Sequence, residues 1–528
     1  TIKFGGEFLH SNNTQVFRGF FTGRYIFDSV LGFLHYATDG PSVRLCANGL
    51  YRTPAGCTAA GSSATAFGPL LLYLQHAGTN GATTDAAGAS DISNNNYALF
   101  LQDKWQIRNN LTLDYGLRWE AQTFPDPVIP PSQTAYGVNL SDPRFTSTGK
   151  IPNDTTMFQP RLGLSWDVRN NGKSVMRASW GIFNAQQNML TEVGAITTNG
   201  VQQQTLFAGD VGPGIFISPN GPAPVWPGVI TPAALPPGTF PFQPGVTVFD
   251  KNYKNPRIYS ANWAFNQELA PNWAGYIDLN WSKGVYLTRF VDINTAPPAV
   301  LPVNGDTASY AGANPFPNLG QVTDTQSTAH SLYRGMTVGV RKRFSKGFQL
   351  EGNYVLSEDL DDDSNERDPF TFRYFNRFDF HRDYTFSDRD SRHKFNFYYS
   401  TKLPAGFEFS GRIQAHTAQP ITDNALGTGT GPACSPNNSL TRVVNGVDCG
   451  RNHLRKDNGF FTFDWRALRP IHFGDRYVLT PMVEVFNSFN NKNNVNPLVT
   501  PGLFNFDGFL RQGVGDPLQA QLALKFAF

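Results

Sequence analysis

The fold is decided by the stretch Leu111-Thr112-Leu113-Asp114-Tyr115-Gly116-Leu117-Arg118-Trp119-Glu120. Its odd-numbered positions are large and apolar, and its even-numbered positions are small, polar or charged. Because successive side chains of a strand point to opposite faces, this period of two predicts a β-strand with one apolar and one polar face. The strand is about ten residues long, whereas strands of soluble proteins usually have five or six. Ten residues is the length of a strand that crosses a membrane.

The same alternation recurs at 161–168, 348–356, 407–416 and 518–528. A soluble β-sandwich also alternates, with its apolar residues facing a dry core. Here the strands are long, their apolar faces are rich in aromatic residues, and their polar faces carry Arg, Asp and Glu. In hydrocarbon an open sheet edge leaves backbone groups without partners, so a spanning sheet must close. We therefore predict an all-β, transmembrane antiparallel barrel with lipid outside and water inside.

Two tryptophans support the membrane interpretation. Trp273 and Trp281 share one strand face and lie eight residues apart. On a tilted strand this separation is about 20 Å along the membrane normal, close to the distance between the aromatic girdles of an outer-membrane barrel. The core of a sandwich, which could also hold two tryptophans, stays open as the alternative.

Composition excludes several classes of protein. Charged residues make up 16% of the 528 residues and aromatic residues 14%, whereas a soluble globular protein carries about 25% charged residues. The formal net charge of +2 gives no electrostatic footprint for nucleic acid. The sequence has no nucleophile elbow, zinc-protease, phosphate-loop or dinucleotide motif. We expect no enzyme activity, no cofactor and no nucleic-acid partner.

Short turns and long loops alternate along the chain, which is typical of an outer-membrane barrel with long extracellular loops. About fifteen strands are predicted: 1–9, 15–27, 96–108, 111–121, 157–169, 173–184, 256–269, 273–290, 332–344, 348–358, 392–403, 406–416, 459–468, 476–487 and 517–528. The number of predicted strands is odd. If the short turns, such as Ser11 to Thr14, are periplasmic, the first strand descends from the outside, and its hairpin partner is then expected upstream. Residues 1–528 are then the carboxyl-terminal portion of an outer-membrane β-barrel domain. The alternative, one miscounted strand and a complete porin of fourteen or sixteen strands, stays open.

The four cysteines form two local pairs, Cys46 with Cys57 and Cys434 with Cys449, each in a polar stretch without the close spacing of a zinc site. We predict two loop disulfides and hence an oxidising compartment. Free thiols in cytosolic loops are the alternative.

Several segments resemble one family of membrane proteins. The stretches 96–105 and 111–120, together with 159–167, 177–183, 354–362 and 483–490, are similar in order and pattern to strands of TonB-dependent outer-membrane receptors, and most similar to the Oar-like group. The resemblance implies a barrel of about 22 strands in the bacterial outer membrane. It also implies a plug domain and a coupling segment for the TonB energy complex, neither of which is recognisable in this sequence. Phe528 resembles the terminal aromatic residue that the barrel-assembly machinery reads.

This resemblance implies energised uptake of a scarce, bulky ligand of unknown identity. Polar residues expected to face the lumen, where they hold the plug or line the path, are Arg118, Glu120, Asp167, Arg177, Asp278, Glu351, Arg412 and Glu484. A surface-exposed adhesive or structural barrel, or a plain porin without TonB coupling, is the alternative function. An outer-membrane hydrolase would need a catalytic cluster at one rim, which the sequence does not indicate.

An acidic run, 357–366, supplies the one weak candidate for a metal site. Asp359, Asp361 and Asp363 offer oxygen ligands close enough in sequence to surround Ca²⁺, although the run lacks the spacing of an EF-hand. An exposed acidic loop just above the membrane is the preferred interpretation, and we expect no metal.

Overall fold

The computed structural model describes residues 1–27, 30–64, 68–79, 82–208, 223–230, 243–295, 314–364, 374, 376–421, 423–427, 441–444, 447–455, 459–495, 513–514 and 516–528. Within these residues seventeen strands form one large sheet. Three of them are the short segments Val246–Phe249, Thr385–Phe386 and Ile471–Phe473. The remaining fourteen are called the wall strands and are numbered β1 to β14: Ile2–Val16, Ala89–Arg108, Leu111–Thr123, Asp154–Asp167, Ser174–Asn184, Arg257–Ala270, Trp273–Asp292, Val322–Ser345, Phe348–Asp361, His393–Lys402, Glu408–His416, Phe460–Leu468, Tyr477–Phe486 and Gln519–Ala527.

Each wall strand pairs antiparallel with the next one in chain order. Connections of a few residues join the strands at one end, as at 109–110, 271–272 and 346–347, and connections of about thirty residues or more join them at the other. Asn272 and Lys346 adopt positive φ values of 69° and 52°, which the tight reversals require. The predicted antiparallel sheet with alternating short and long connections is therefore confirmed.

The prediction for the first two strands is wrong. The expected turn at Ser11 to Thr14 does not form, because β1 continues through it, pairing with β2 from Ile2 opposite Asp103 to Val16 opposite Ala89. The polar residues there have turn chemistry, but a partner strand long enough to bond all of them keeps them extended. The count in the described residues is thus even. Since β1 leads into the long connection 17–88, it begins at the short-turn end, which corrects the predicted direction of the first strand.

Some wall strands extend well beyond the length that a membrane requires. Both β2 and β7 have 20 residues and β8 has 24, whereas a tilted strand crosses the hydrocarbon in about ten. On the apolar face of β7 the crossing part is marked by Trp273 and Trp281. The residues of β7, β8 and β2 nearest the long connections, such as Asp292, Asp324 and Asn94, therefore lie beyond the membrane.

The long connections fold into a compact layer, called the cap, at that end of the wall. Its helices are α1 Val30–Asp39, α2 Pro54–Ala59, α3 Thr84–Gly88 and α4 Met189–Thr197, with short 3-10 turns at Pro131–Gln133, Gly137–Asn139 and Phe380–Asp383. Another 3-10 turn, Pro404–Gly406, lies at the short-turn end. The small strands outside the wall are Arg24–Phe27, Arg44–Leu45, Tyr51–Arg52, Leu70–Gly78, Gln203–Ala208, Pro420–Ile421, Asp423–Gly427, Thr441–Val444, Val447–Asp448, Leu454–Arg455, Asn494–Val495 and Gly513–Val514. None of the helices in the described ranges has the length and apolarity to cross a membrane.

The buried core lies mostly in the cap, not between the faces of the wall. Three apolar clusters fill it, with Phe290, Tyr73 and Phe249 among their buried members. In the wall, by contrast, Leu522 is 83% exposed and Phe4 is 81% exposed. Leu113, Leu164 and Phe409 are partly exposed and belong to none of the three clusters. The apolar sides of the strands thus do not meet in a shared dry interior, and the sandwich alternative is excluded.

Candidate functional site

The wall presents one continuous polar face, and the register of the strands defines it. Gln159 lies opposite Arg118, Arg412 opposite Asp464, and Glu484 opposite Arg466. All eight residues predicted to face the lumen lie on this face: Arg118, Glu120, Asp167, Arg177, Asp278, Glu351, Arg412 and Glu484. Their alternation with the apolar face was readable because the side-chain period of a strand is two.

One group of polar-face residues lies on β1 to β4. Arg118 is bonded to two carboxylates, with its Nη2 donating to Glu7 at 3.0 Å and its Nε to Glu120 at 2.5 Å. Gln159 Nε2 donates to the other oxygen of Glu120 at 2.6 Å. This group borders a recess of about 530 Å³, where Arg161 stacks on the ring of Phe183 at 4.7 Å. The network holds its charges in place at the border of this first recess.

A second recess, of about 800 Å³, is lined by β8 to β13. Arg341 clamps Glu351 through two hydrogen bonds of 3.0 and 2.8 Å, and the hydroxyl of Tyr276 lies 3.3 Å from the same carboxylate. Paired forks of this kind fix geometry as well as charge. Arg412 donates to Asp464 at 2.7 Å.

Glu484 completes the charged lining of the second recess. Its carboxylate lies 3.8 Å from Arg466 Nη1 and accepts a hydrogen bond from Gln521. Each of the three carboxylates that line the recess is thus paired with an arginine, and Lys342 and Arg343 add positive charge to the lining.

The other three predicted residues lie outside these two networks. Asp167 accepts the backbone N–H of Gly172 at 2.6 Å and so closes the β4–β5 turn. Asp278 accepts amide donors from Asn262 at 2.8 Å and from Asn280 at 2.5 Å. Arg177 is exposed on the polar face. The sequence analysis missed Arg341, Asp464 and Glu7, although the same period of two would have placed the first two on this face.

The described part of the acidic run 357–366 ends at Ser364 and is not an exposed loop. It forms the end of β9 and the start of the following connection, where Asp361, Asp362 and Asp363 are buried. Asp361 accepts hydrogen bonds from Arg451, and Asp363 from Arg289 Nε at 3.3 Å. Both arginines are buried, at 3% and 0% exposed. The backbone N–H of Asp359 instead donates to the carboxylate of Asp390 at 2.7 Å.

The calcium candidate is not assembled by this arrangement. Asp361 and Asp363 are directed at two different arginines, so the three carboxylates do not meet. In the described ranges, no three His, Cys, Asp or Glu side chains form a group that could hold a metal ion. The predicted exposed position of the run is wrong because the sequence does not show that Arg289 and Arg451, 74 and 90 positions away from Asp363 and Asp361, fold onto it.

Burial shifts the acidity of several cap residues. Desolvation raises the pKa of Glu192 to about 7 and that of Asp324 to about 7, because the charged form of a carboxyl is disfavoured away from water. Desolvation likewise lowers the pKa of His76 to about 4. Glu192 and His76 lie in the cap, Asp324 lies at the end of β8 that the cap covers, and none of the three lines either recess.

One of the two predicted disulfides is confirmed. Cys46 and Cys57 are bonded in the cap, with a Cα to Cα distance of 5.6 Å. Cys449 is disulfide-bonded, and Cys434 lies outside the described residues. A disulfide in the cap agrees with an oxidising compartment.

Comparison with known families decides what kind of protein has this wall and cap. A family model described as an outer membrane beta barrel domain matches residues 1–427. The chain belongs to that family. It is accordingly a protein of the bacterial outer membrane, and the exposed apolar face of its wall meets lipid.

Solved outer-membrane transporters have a similar fold. The outer membrane transporter YddB from Escherichia coli has a TM-score of 0.50 and 10% identity, over 86% of this chain and 49% of that one. The FrpB iron transporter from Neisseria meningitidis has a TM-score of 0.44 and 12% identity, over 83% and 45%. The ferric enterobactin receptor PfeA from Pseudomonas aeruginosa has a TM-score of 0.43 and 9% identity, over 86% and 50%.

The chain spans about half the length of these proteins. At such identities the likeness concerns the fold, and at this level the predicted resemblance to TonB-dependent receptor barrels is confirmed. No curated protein matches the sequence.

Proposed function

We propose that this chain is the barrel portion of a TonB-dependent receptor that takes up a scarce, bulky ligand. The observation that carries the proposal is the cap, whose long connections fold around buried cores of their own above a charged polar face. A folded layer of this size gives a ligand a broad, preformed surface outside the membrane. The similarity of the fold to an outer membrane transporter supports the same function.

The polar face has the chemistry expected of a wall that holds an inserted domain. Its arginines and carboxylates are paired with one another, as with Arg118 and Glu120 or Arg412 and Asp464. A wall whose carboxylates are already paired can release and rebind a plug without leaving a buried carboxylate unpaired. In this proposal the eight predicted polar-face residues hold the plug or line the path, and the wall performs no bond chemistry.

The pairing at the outer edges of the wall supports the proposal that further strands complete the barrel. Among the described strands, β1 pairs only with β2, and β14 pairs only with β13. A free edge in hydrocarbon leaves each unpaired backbone group at a cost of several kcal/mol. We therefore place the chain in a larger barrel of the size that the family resemblance implies. Phe528, which is 84% exposed and stacks on Phe526, is its proposed signal to the assembly machinery.

Two deletion strains test the coupling to TonB in a host that carries the full-length protein. One lacks this receptor and the other lacks the TonB energy complex, and both are grown on limiting iron chelates, cobalamin, saccharides and peptides. We expect both strains to lose growth on the same nutrient, and re-expression of the receptor to restore growth only when TonB is present.

The alternative, an adhesive barrel or a plain porin, predicts a different result. The receptor would then restore growth, or surface attachment, equally well without TonB. That result would contradict the proposed uptake function.

A further inference from the structure

A buried carboxylate lies where α4 packs on β2 in the cap. Glu192 is 0% exposed, and its Oε1 accepts a hydrogen bond from Asn94 Nδ2 at 2.8 Å. Among the residues that the structure describes, its Oε2 has no hydrogen-bond partner. Burial and the hydrogen bond from Asn94 set the pKa of Glu192, and no cation of the described residues contributes to it. A buried carboxylate oxygen that has neither a hydrogen-bond donor nor a cation as its partner destabilises the fold.

Two buried amide oxygens nearby are also without donors. Asn94 is 2% exposed and Asn255 is 1% exposed, and the Oδ1 atoms of both lack partners. The orientation of Asn94 is fixed, because only its NH₂ group can donate to the carboxylate of Glu192. Each amide therefore presents a carbonyl oxygen that nothing in the described residues satisfies.

The orientation of Asn255 is fixed by a chain of hydrogen bonds. Its Nδ2 donates at 2.6 Å to Gln122 Oε1, which also accepts the backbone N–H of Gln187 at 2.9 Å. Since a backbone N–H can only donate, Gln122 must present its oxygen there, and Asn255 must present its NH₂. The backbone N–H of Asn255 donates to Asp154 at 3.0 Å, which places a second carboxylate beside the amides.

A fourth acceptor lies on the same strand face. Asn96 is two positions from Asn94 along β2 and directly opposite Gln122 in the register, and its Oδ1 has no partner. The acceptor cluster is defined as Glu192 Oε2 and the Oδ1 atoms of Asn94, Asn96 and Asn255. All four atoms are oxygens, and when Glu192 is ionised all four accept and none donates.

We propose that the acceptor cluster binds a hard metal cation of the Na⁺ or Ca²⁺ kind. Carboxylate and amide oxygens are the ligands that such cations take in proteins, and a cation satisfies several acceptors at once where no donor is available. The cluster relies mainly on amides, unlike a group of three acidic or histidine side chains, of which the described residues hold none. The cation would join α4 to β2 and to the segment around Asn255. The inference rests on the cap alone and is independent of the proposed uptake.

The test uses full-length protein in detergent, stripped of metal with a chelator and held at pH 8. Hydrogen exchange of residues 189–197 is followed in choline chloride, in NaCl and in CaCl₂ at equal ionic strength. Exchange from the unbound state should slow by about tenfold when the cation is present at about ten times its Kd. Slowing by either cation supports the proposal and identifies the ion, whereas no slowing by either overturns it.

Three variants make the test specific. In Glu192→Gln an NH₂ group replaces the free oxygen, so the response to the cation should vanish while the segment stays protected without metal. Asn96→Asp adds a carboxylate, so Ca²⁺ should act at a lower concentration. Asp126→Asn removes an exposed acid that pairs with Lys150 at 2.6 Å, and it should keep the full response.

The competing occupants are a proton and water. Burial already raises the pKa of Glu192 to about 7, and Tyr253 is the titratable group that interacts with it. With a proton or water alone, exchange would depend on pH but not on Na⁺ or Ca²⁺, and Asn96→Asp would gain no response to Ca²⁺. Either result would overturn the proposal, as would an unchanged response in Glu192→Gln.

Discussion

Arg451 joins two segments of the cap through a buried set of contacts. It bonds the carboxylate of Asp361, lies 3.6 Å from that of Asp388, and donates to Ser364 Oγ at 2.8 Å. Removing one member of a buried ion pair leaves the other charge unpaired, at a cost of about 3–5 kcal/mol. We expect Arg451→Ala to lower the free energy of local unfolding of the cap by about this amount. Hydrogen exchange or proteolysis of residues 359–364 and 383–391 measures the change.

The matched control for that change is Arg144→Ala. Arg144 also bonds an aspartate, Asp142, at 2.6 Å, but its side chain is 63% exposed. Exposed ion pairs contribute about 0–1 kcal/mol. Equal effects of the two variants would show that burial does not set the strength of the Arg451 contacts.

Asp324 should make the stability of the cap depend on pH. It is 0% exposed, and its Oδ2 accepts hydrogen bonds from Thr146 at 2.7 Å and from Gln326 at 2.9 Å. Burial, with a smaller contribution from nearby Asp250, raises its pKa from 3.8 to about 7. The folded cap therefore prefers the protonated carboxyl, and the stabilisation present near pH 4 is lost as the pH rises to 7.

The measurement compares hydrogen exchange of residues 322–326 in the natural protein and in Asp324→Asn. The natural segment should become less protected between pH 5 and pH 8, after correction for intrinsic rates, and the variant should change less. His76 acts in the opposite direction, since its lowered pKa makes protonation below pH 6.5 unfavourable in the folded cap. The difference between the two proteins isolates Asp324, and identical pH profiles would contradict the prediction.

At the level of single residues, the sequence predicted faces but not partners. The position of Glu351 or Arg412 on the polar face follows from counting along one strand. The pairing of Asp361 with Arg451, or of Glu192 with Asn94, depends on where distant segments fold. No local sequence pattern predicts such pairs. An acidic run such as 357–366, considered without its distant arginines, therefore has the pattern of an exposed loop.

Among the elements, the contact between β2 and β3 depends on a glycine. A Cβ at Gly116 would lie 2.7 Å from the carbonyl oxygen of Leu101 and 2.7 Å from Gln102 Cβ, on the neighbouring strand. Because backbone cannot move aside cheaply, Gly116→Ala must separate the two strands, at a cost of about 1–3 kcal/mol. We expect a lower midpoint of urea unfolding in lipid vesicles.

Gly163→Ala is the matched control on the adjacent strand. Its Cβ would meet nothing closer than Asp114 Cβ at 3.6 Å, an ordinary contact. Both glycines lie on the polar face in non-helical backbone, so the propensity term is shared. A midpoint that falls equally in both variants would show that the close approach at Gly116 is unimportant.

The wall strands were predictable because each carries its own period of two over about ten residues, as in 111–120. The failure at β1 has a local cause. Asn12, Asn13 and Thr14 read as a turn, but in the structure they lie opposite Ser93, Ile92 and Asp91 on an equally extended strand. The cap was not predictable in this way, because its buried clusters combine residues from connections that are far apart in sequence.

For the whole molecule, the fold rests on the apolar face of the wall meeting lipid. Ile277 lies on this face, midway between Trp273 and Trp281 on β7, and therefore near the middle of the membrane. A charged side chain there costs about 2–4 kcal/mol at the midplane. We expect Ile277→Arg to reduce insertion, measured as the fraction of protein that migrates as the folded form in unheated gels and as the urea midpoint in vesicles.

Thr337→Arg introduces the same side chain on the opposite face. Thr337 lies on β8 directly opposite Asp278, so the new arginine would meet water and a carboxylate. The insertion of this variant should be close to that of the natural protein. If instead Thr337→Arg were the more damaging change, the polar side of the wall would face hydrocarbon, and the assignment of both faces, with the uptake path built on it, would have to be reversed.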